Sequence, residues 1–185
     1  MSSLALQLPF LQGEDRLHWL LGRLVHAHAR LDLGIGLQLK WLGPYRGVDV
    51  DHLLVAPSVH FKTRLDKLRP LALEMWGHSN PVACAAFEQW FQRVERARGV
   101  RNDYAHGRWG RVNMREPDLF AFVALSWEFD PAKMAPEVQV TLDELEVQVK
   151  EIEALVHDFQ RLQKKHEGDG RWSKAWEDQH VRNPT

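Results

Sequence analysis

The residues best able to do chemistry crowd into one stretch, VRNDYAHGRWGR, residues 100–111. Arg101 brings a guanidinium that keeps its proton and whose planar fork donates two parallel hydrogen bonds to a phosphate. His106 brings an imidazole, which with an ordinary pKa of about 6.5 takes and returns a proton near neutral pH. Asn102 adds an amide beside them. A fixed cation and a proton carrier are a sufficient set for cutting RNA without a metal. In that chemistry the 2′-hydroxyl is deprotonated and attacks the adjacent phosphorus while a cation steadies the developing charge. The same residues also suit a plainer purpose, because Arg and His near a helix C-terminus complement its dipole. R-x4-H spacing alone does not separate the two.

The elements around the motif have to place it. Asn80 followed by Pro81 predicts a helix start, an acceptor at the N-cap and a proline where a missing N–H costs nothing. From there Ala83, Phe87, Trp90, Val94 and Ala97 recur at helical spacing, and the next position in the series is Arg101. A helix running through Tyr104 sets Arg98, Asn102 and His106 in an i, i+4, i+8 row, with Arg101 on the neighbouring stripe and Gly107 as terminator. A guanidinium on an apolar face is costly unless an anion meets it, either a carboxylate of the protein or a ligand phosphate.

Before this helix, apolar residues from Leu17 to Leu42 predict a long first helix over about 14–42, in which Gly34 and Gly36 suggest a kink or a close helix contact. The segment GPYRGVDVDHLLVAPS reads as a loop holding a short extended piece. A second helix is predicted from Ser58 to about Gly77, with Phe61, Leu65, Leu68, Ala72 and Met75 on one face and a kink at Pro70. After Gly107 the runs RWGRVNM, LFAFVALSWEF and EVQVTL predict a small antiparallel ribbon. Thr141 and Glu144 have capping-box spacing and open a last helix carrying Leu142, Leu145, Val149, Ile152, Val156 and Phe159. The expectation is a mainly all-α fold, a bundle of four to five helices with a β insertion at about 108–141 before the last long helix. Residues 1–165 would form one domain, and 166–185 a polar tail in which Trp172 and Trp176 lie four apart and could dock on this chain or on a partner.

Composition narrows the classes further. The chain of 185 residues has a formal net charge of −1, yet residues 93–115 carry seven arginines against Glu95 and Asp103, while residues 116–160 carry eleven acids against two lysines. A basic patch therefore surrounds the motif on an otherwise acidic protein. The single cysteine, Cys84, allows no intrachain disulfide and suits a reducing, cytoplasmic setting, where it reads as a small core hydrophobe. No apolar run approaches a membrane span, and no phosphate loop, dinucleotide fingerprint, zinc spacing or serine-hydrolase elbow is present.

At RNDYAHG the sequence resembles the HEPN domain family, whose R-x4-6-H motif often has an Asn after the Arg and closes a long third helix. The resemblance implies a helical bundle, commonly a homodimer that brings two motifs into one cleft. In many members that cleft is a metal-independent endoribonuclease of toxin–antitoxin, antiviral or stress systems. Carried over, Arg101 would hold the phosphate, Asn102 would orient or hydrogen-bond, His106 would act as general base or acid, and Tyr104 would help place single-stranded RNA. Arg98 and Arg108 would guide the backbone and Trp109 could stack on a base. No cofactor or metal is expected. The alternatives are a non-catalytic module that binds a nucleotide or protein, with Arg101 paired to an acid of the last helix, and an antitoxin or regulatory partner.

Other candidates are weaker. His28, on the first helix's apolar stripe, reads as a structural histidine. Asp49 to His52 could offer two carboxylates to a divalent ion, but reads as a solvated loop. Lys62 to Arg69 reads as the wet face of the second helix, and Trp90 and Trp127 as core.

Overall fold

The computed structural model describes residues 13–44, 47–55, 60–78, 80–112, 115–123 and 137–166. Among these there are five α-helices and one three-stranded antiparallel sheet, the sheet lying before the last long helix. In chain order they are α1 (Glu14–Leu42), α2 (Asp51–Val55), α3 (Phe61–Ala72), α4 (Pro81–His106), β1 (Arg108–Arg111), β2 (Leu119–Val123), β3 (Val138–Thr141) and α5 (Leu142–Lys165). Internal contacts group the chain into two compact units. One comprises Met1–Ala27 with Gly99–Glu151, the other His28–Arg98 with Ile152–Thr185.

In the first unit, the sheet has the order β1-β2-β3, with Trp109 opposite Phe122 and Phe120 opposite Val140. Alternation along the strands gives it one apolar face, on which Phe120, Phe122 and Val140 are buried. The expected capping box forms at the junction with α5. The Thr141 N–H donates to Glu144 Oε2 at 2.8 Å, and the Glu144 N–H donates to Thr141 Oγ1 at 3.2 Å. The Glu144 carboxyl is held below the ordinary range by the Thr141 backbone N–H first and by the Thr141 hydroxyl second, which donates to Glu144 Oε2 at 2.8 Å. Arg16 at the start of α1 bridges Asp143 at 2.6 Å and Glu146 at 2.8 Å.

In the second unit, the core is aromatic. Trp76 stacks on Phe87 with centroids 5.1 Å apart, and Phe159 meets Phe87 edge-on at 5.6 Å. The Trp90 ring lies 4.5 Å from that of Phe159, and its indole N–H donates to the Leu155 carbonyl at 2.9 Å. The Asn80 carboxamide oxygen accepts the N–H groups of Val82 and Ala83, as its N-cap position predicts.

Several expectations change in detail. Part of the segment read as a loop is the short helix α2. The Asp49 carboxylate accepts the Asp51 N–H at 3.0 Å and Leu53 is buried, a local turn signal that a scan for long periodicity passes over. Asp49 thus starts a helix, and Asp51 and His52 lie within it rather than on an extended segment. Helix α3 continues through Pro70 into a π-helical turn, Leu73–Gly77, and the Leu73 N–H is shared between the carbonyls of Arg69 and Pro70. A Cβ at Gly36 would lie 3.4 Å from Leu54, one at Gly34 would meet nothing within 4 Å, and α1 runs unbroken through both. In α5 Leu155 is buried and Val156 only half-buried. Cys84 is half-buried against Gly77 rather than fully enclosed. Trp127, Trp172 and Trp176 lie outside the described residues.

Candidate functional site

The apolar stripe of α4 is buried from Ala83 to Ala97, and Arg101 follows it, half-buried. Arg101 Nη1 donates to Asn102 Oδ1 at 3.1 Å and lies 3.4 Å from His106 Nε2. Residues five apart on a helix are about 140° and 7.5 Å apart, so only a long side chain reaching over the last turn makes this contact. A guanidinium has no lone pair to offer, so any hydrogen bond in this contact has Nε2 as its acceptor. His106 is the last residue of α4 and is exposed.

Arg101 has two further properties. Its Nε is buried with no hydrogen-bond partner among the described residues. No carboxylate among those residues lies within salt-bridge distance of it, so the acid of the last helix that the non-catalytic alternative pairs with it is not found there. The cation is therefore held in place, no described residue neutralises it, and it retains donors for an anion.

The turn beneath His106 is fixed by an aromatic triangle. Tyr104, Trp109 and Phe122 have ring centroids 5.1, 4.9 and 4.8 Å apart, pair by pair. The Trp109 indole N–H donates to the Tyr104 carbonyl at 3.1 Å, satisfying one of the orphan carbonyls of the helix end. The Gly107 N–H donates to the Asp103 carbonyl at 2.7 Å. Positive φ among the described glycines is confined to Gly13 and Gly47, so Gly107 does not end the helix by a left-handed cap. It is there for space: a Cβ would sit 2.0 Å from the Phe122 ring. Burial raises the Tyr104 phenol above its ordinary pKa; a hydrogen bond from Gln148 opposes the shift, and the charges of Glu144 and Asp103 add to it. Tyr104 thus keeps its phenolic proton at neutral pH.

The structure brings Arg101, Asn102 and His106 together and sets Tyr104 and Trp109 in the packing under them. Arg98 is engaged elsewhere: its Nε–H donates to Glu95 at 2.9 Å, and Glu95 also receives Lys62 at 3.2 Å. Burial pushes the Glu95 carboxyl up, but Arg98 and Lys62 outweigh it and hold it below the ordinary range. Arg108, the first residue of β1, is exposed on the face opposite Trp109. His28 packs its ring 4.5 Å from Phe61, consistent with a structural part.

Sequence reasoning missed Phe122, Gln148 and the spatial need for Gly107. The alternation in LFAFV marked Phe122 as inward-facing but not toward what, and nothing in the sequence tied Gln148 to Tyr104. Among the described residues no three His, Cys, Asp or Glu side chains are grouped to hold a metal ion, and no helix is long and apolar enough to cross a membrane. Comparison with protein-family models, with curated proteins and with solved structures gives no match.

Proposed function

We propose that the protein is a HEPN-like, metal-independent endoribonuclease acting on single-stranded RNA, with Arg101, Asn102 and His106 as its site. The observation that carries this proposal is the Arg101 guanidinium, paired with no carboxylate among the described residues and in contact with both Asn102 and the exposed His106. An incoming phosphodiester competes for the Arg101 donors and frees His106 Nε2. That nitrogen then takes the proton from the 2′-hydroxyl. O2′ bonds to phosphorus, the bond from phosphorus to O5′ breaks, and the products are a 2′,3′-cyclic phosphate and a 5′-hydroxyl. Arg101 stabilises charge on the non-bridging oxygens, where it is worth most in the transition state. The proton for O5′ comes from a second imidazole, that of His106 in the other copy of a homodimer, or from water. Asn102 keeps Arg101 oriented, and exposed Arg108 guides the strand. The setting is the cytoplasm, in a toxin–antitoxin, defence or stress role.

The test is cleavage of a labelled mixed-sequence RNA in EDTA by wild type, His106→Ala and Arg101→Ala, each sized and checked for folding. Cutting by wild type that is lost in both variants, with a cyclic phosphate end, is the expected result. No cutting by wild type, or equal cutting by all three, refutes the assignment and leaves the triad as a binding site or a helix end.

A further inference from the structure

Within the second unit, α1 meets α2 and α3 around an open cleft of about 460 Å³. Its walls are mainly apolar. Leu33 and Leu37, one helical turn apart on α1, are 64% and 58% exposed, and Leu54 of α2 lines the cleft with them. Gly36 keeps the space open, since a Cβ there would already lie 3.4 Å from Leu54 Cδ2 and a longer side chain would occupy the cleft. Glycine is otherwise a costly choice inside a helix. The charged groups are few. The Asp32 carboxylate accepts Arg64 Nε at 2.8 Å and Arg64 Nη2 at 2.6 Å, one oxygen to each nitrogen, so these two charges answer each other. Lys40 also lines the cleft, is exposed, and has no carboxylate partner among the described residues. The lining therefore carries one cation more than it carries acids.

We infer that this cleft binds a small organic acid, an apolar body bearing one carboxylate, with the body against Leu33, Leu37 and Leu54 and the carboxylate on Lys40. Sites for small molecules are typically about 300–1,000 Å³, mostly apolar, with a few polar groups that fix orientation. The cleft has that size and that balance. An amine suits it poorly, because both oxygens of Asp32 are engaged by Arg64 and Lys40 repels a second cation. A neutral molecule of the same shape fills the apolar part and leaves the Lys40 charge unanswered. A second copy of the chain suits the face less well, since two leucines beside a cleft fall far short of the roughly 800 Å² per partner of a stable interface. The inference does not depend on the proposed ribonuclease activity, whose residues belong to the other unit.

The test is a titration of the full chain at neutral pH with octanoate, octan-1-ol and octylammonium, followed by the shifts of backbone amides in NMR spectra. The expected result is saturable movement of the Gly36, Leu37, Lys40 and Leu54 amides by octanoate, with a Kd on the order of 1 mM. Octylammonium should bind about tenfold more weakly, with octan-1-ol between the two. Lys40→Glu should invert the order of the two charged probes, and Leu33→Ser/Leu37→Ser should weaken all three by about tenfold. These changes fall on exposed positions, and unchanged thermal melts confirm the fold of each variant. Gly36→Leu, which fills the cleft instead of stripping its wall, should abolish binding by a second route. Equal affinity for the three probes in wild type, shifts confined to amides away from the cleft, or no saturation by octanoate overturns the inference. So does a wild-type dimer that Leu33→Ser/Leu37→Ser turns into a monomer, which makes the face a copy-to-copy interface instead.

Discussion

Gly107→Ala should damage the protein out of proportion to a single methyl group. The added Cβ would lie 2.0 Å from Phe122 Cε2, 2.6 Å from Phe122 Cζ and 2.7 Å from the Asp103 carbonyl oxygen. Comfortable carbon–carbon separations are about 3.5–4.0 Å. Phe122 has little freedom to yield, being 6% exposed and hemmed by Tyr104 and Trp109. The Asp103 carbonyl is held by the Gly107 N–H itself. Overpacking costs about 1–3 kcal/mol in ordinary cores, and a clash against two fixed groups belongs at about 3 kcal/mol. With a urea dependence of about 2 kcal/mol per molar, the unfolding midpoint should fall by about 1.5 M. Gly110→Ala is the matched control, because its Cβ meets nothing within 4 Å and its midpoint should hold or rise slightly. Phe122→Leu in the Gly107→Ala background should recover about 1 kcal/mol relative to additivity. Equal midpoints for the two alanine variants would refute the packing account of Gly107.

Other outcomes follow from single contacts. Asp158 receives Arg93 at 2.7 Å and also Arg161; burial pushes its carboxyl up, but the two guanidiniums outweigh burial and hold it below the ordinary range. A depressed carboxylate stabilises the fold above the unfolded pKa of about 4 and loses that contribution as pH falls through the folded value. Asp158→Asn should therefore cost about 1 kcal/mol in urea melts at pH 7, and the gap from wild type should close below about pH 4. Thr141→Ala removes the hydroxyl that accepts the Glu144 N–H and should cost about 1 kcal/mol, while Thr141→Ser should restore most of it. Arg101→Lys keeps the charge but not the fork that reaches Asn102 and His106 together, so under the proposed ribonuclease function cleavage should drop about a hundredfold while the salt dependence of RNA binding stays near wild type.

The helices and the ribbon were legible because their signals are local. Asn80 and Thr141 name their own N-termini through short side chains that satisfy orphan N–H groups, and the apolar stripes of α1, α4 and α5 repeat long enough to stand out. Helix α2 was not legible, since five residues give no period and its start rests on one Asp49 side-chain bond. At the site, residue types and spacing pointed to Arg101, Asn102 and His106. They did not reveal that Nη1 bridges the last turn to Nε2, because a row drawn on an ideal helix omits the reach of an arginine. Gly107 looked like a conventional helix stop, and its true constraint is a phenylalanine fifteen residues later in the chain.

The arginine count of residues 93–115 is likewise a poor measure of the basic surface. Arg93 is paired with Asp158, Arg98 with Glu95 and Arg111 with Glu14, so these three charges are already answered. Pairing of this kind is invisible in composition, because partners such as Asp158 and Glu14 lie sixty to a hundred residues away in the chain. Arg101 differs in kind from those three: it follows a buried stripe, its Nε is orphaned, and its hydrogen bonds go to an amide and an imidazole, neither of which carries a negative charge. A half-buried guanidinium in that condition is a standing cost unless an anion arrives from outside the described residues. An anion of the solute, phosphate or RNA, should therefore raise the melting temperature of wild type and leave that of Arg101→Ala unmoved, since binding to the folded state alone stabilises it by mass action.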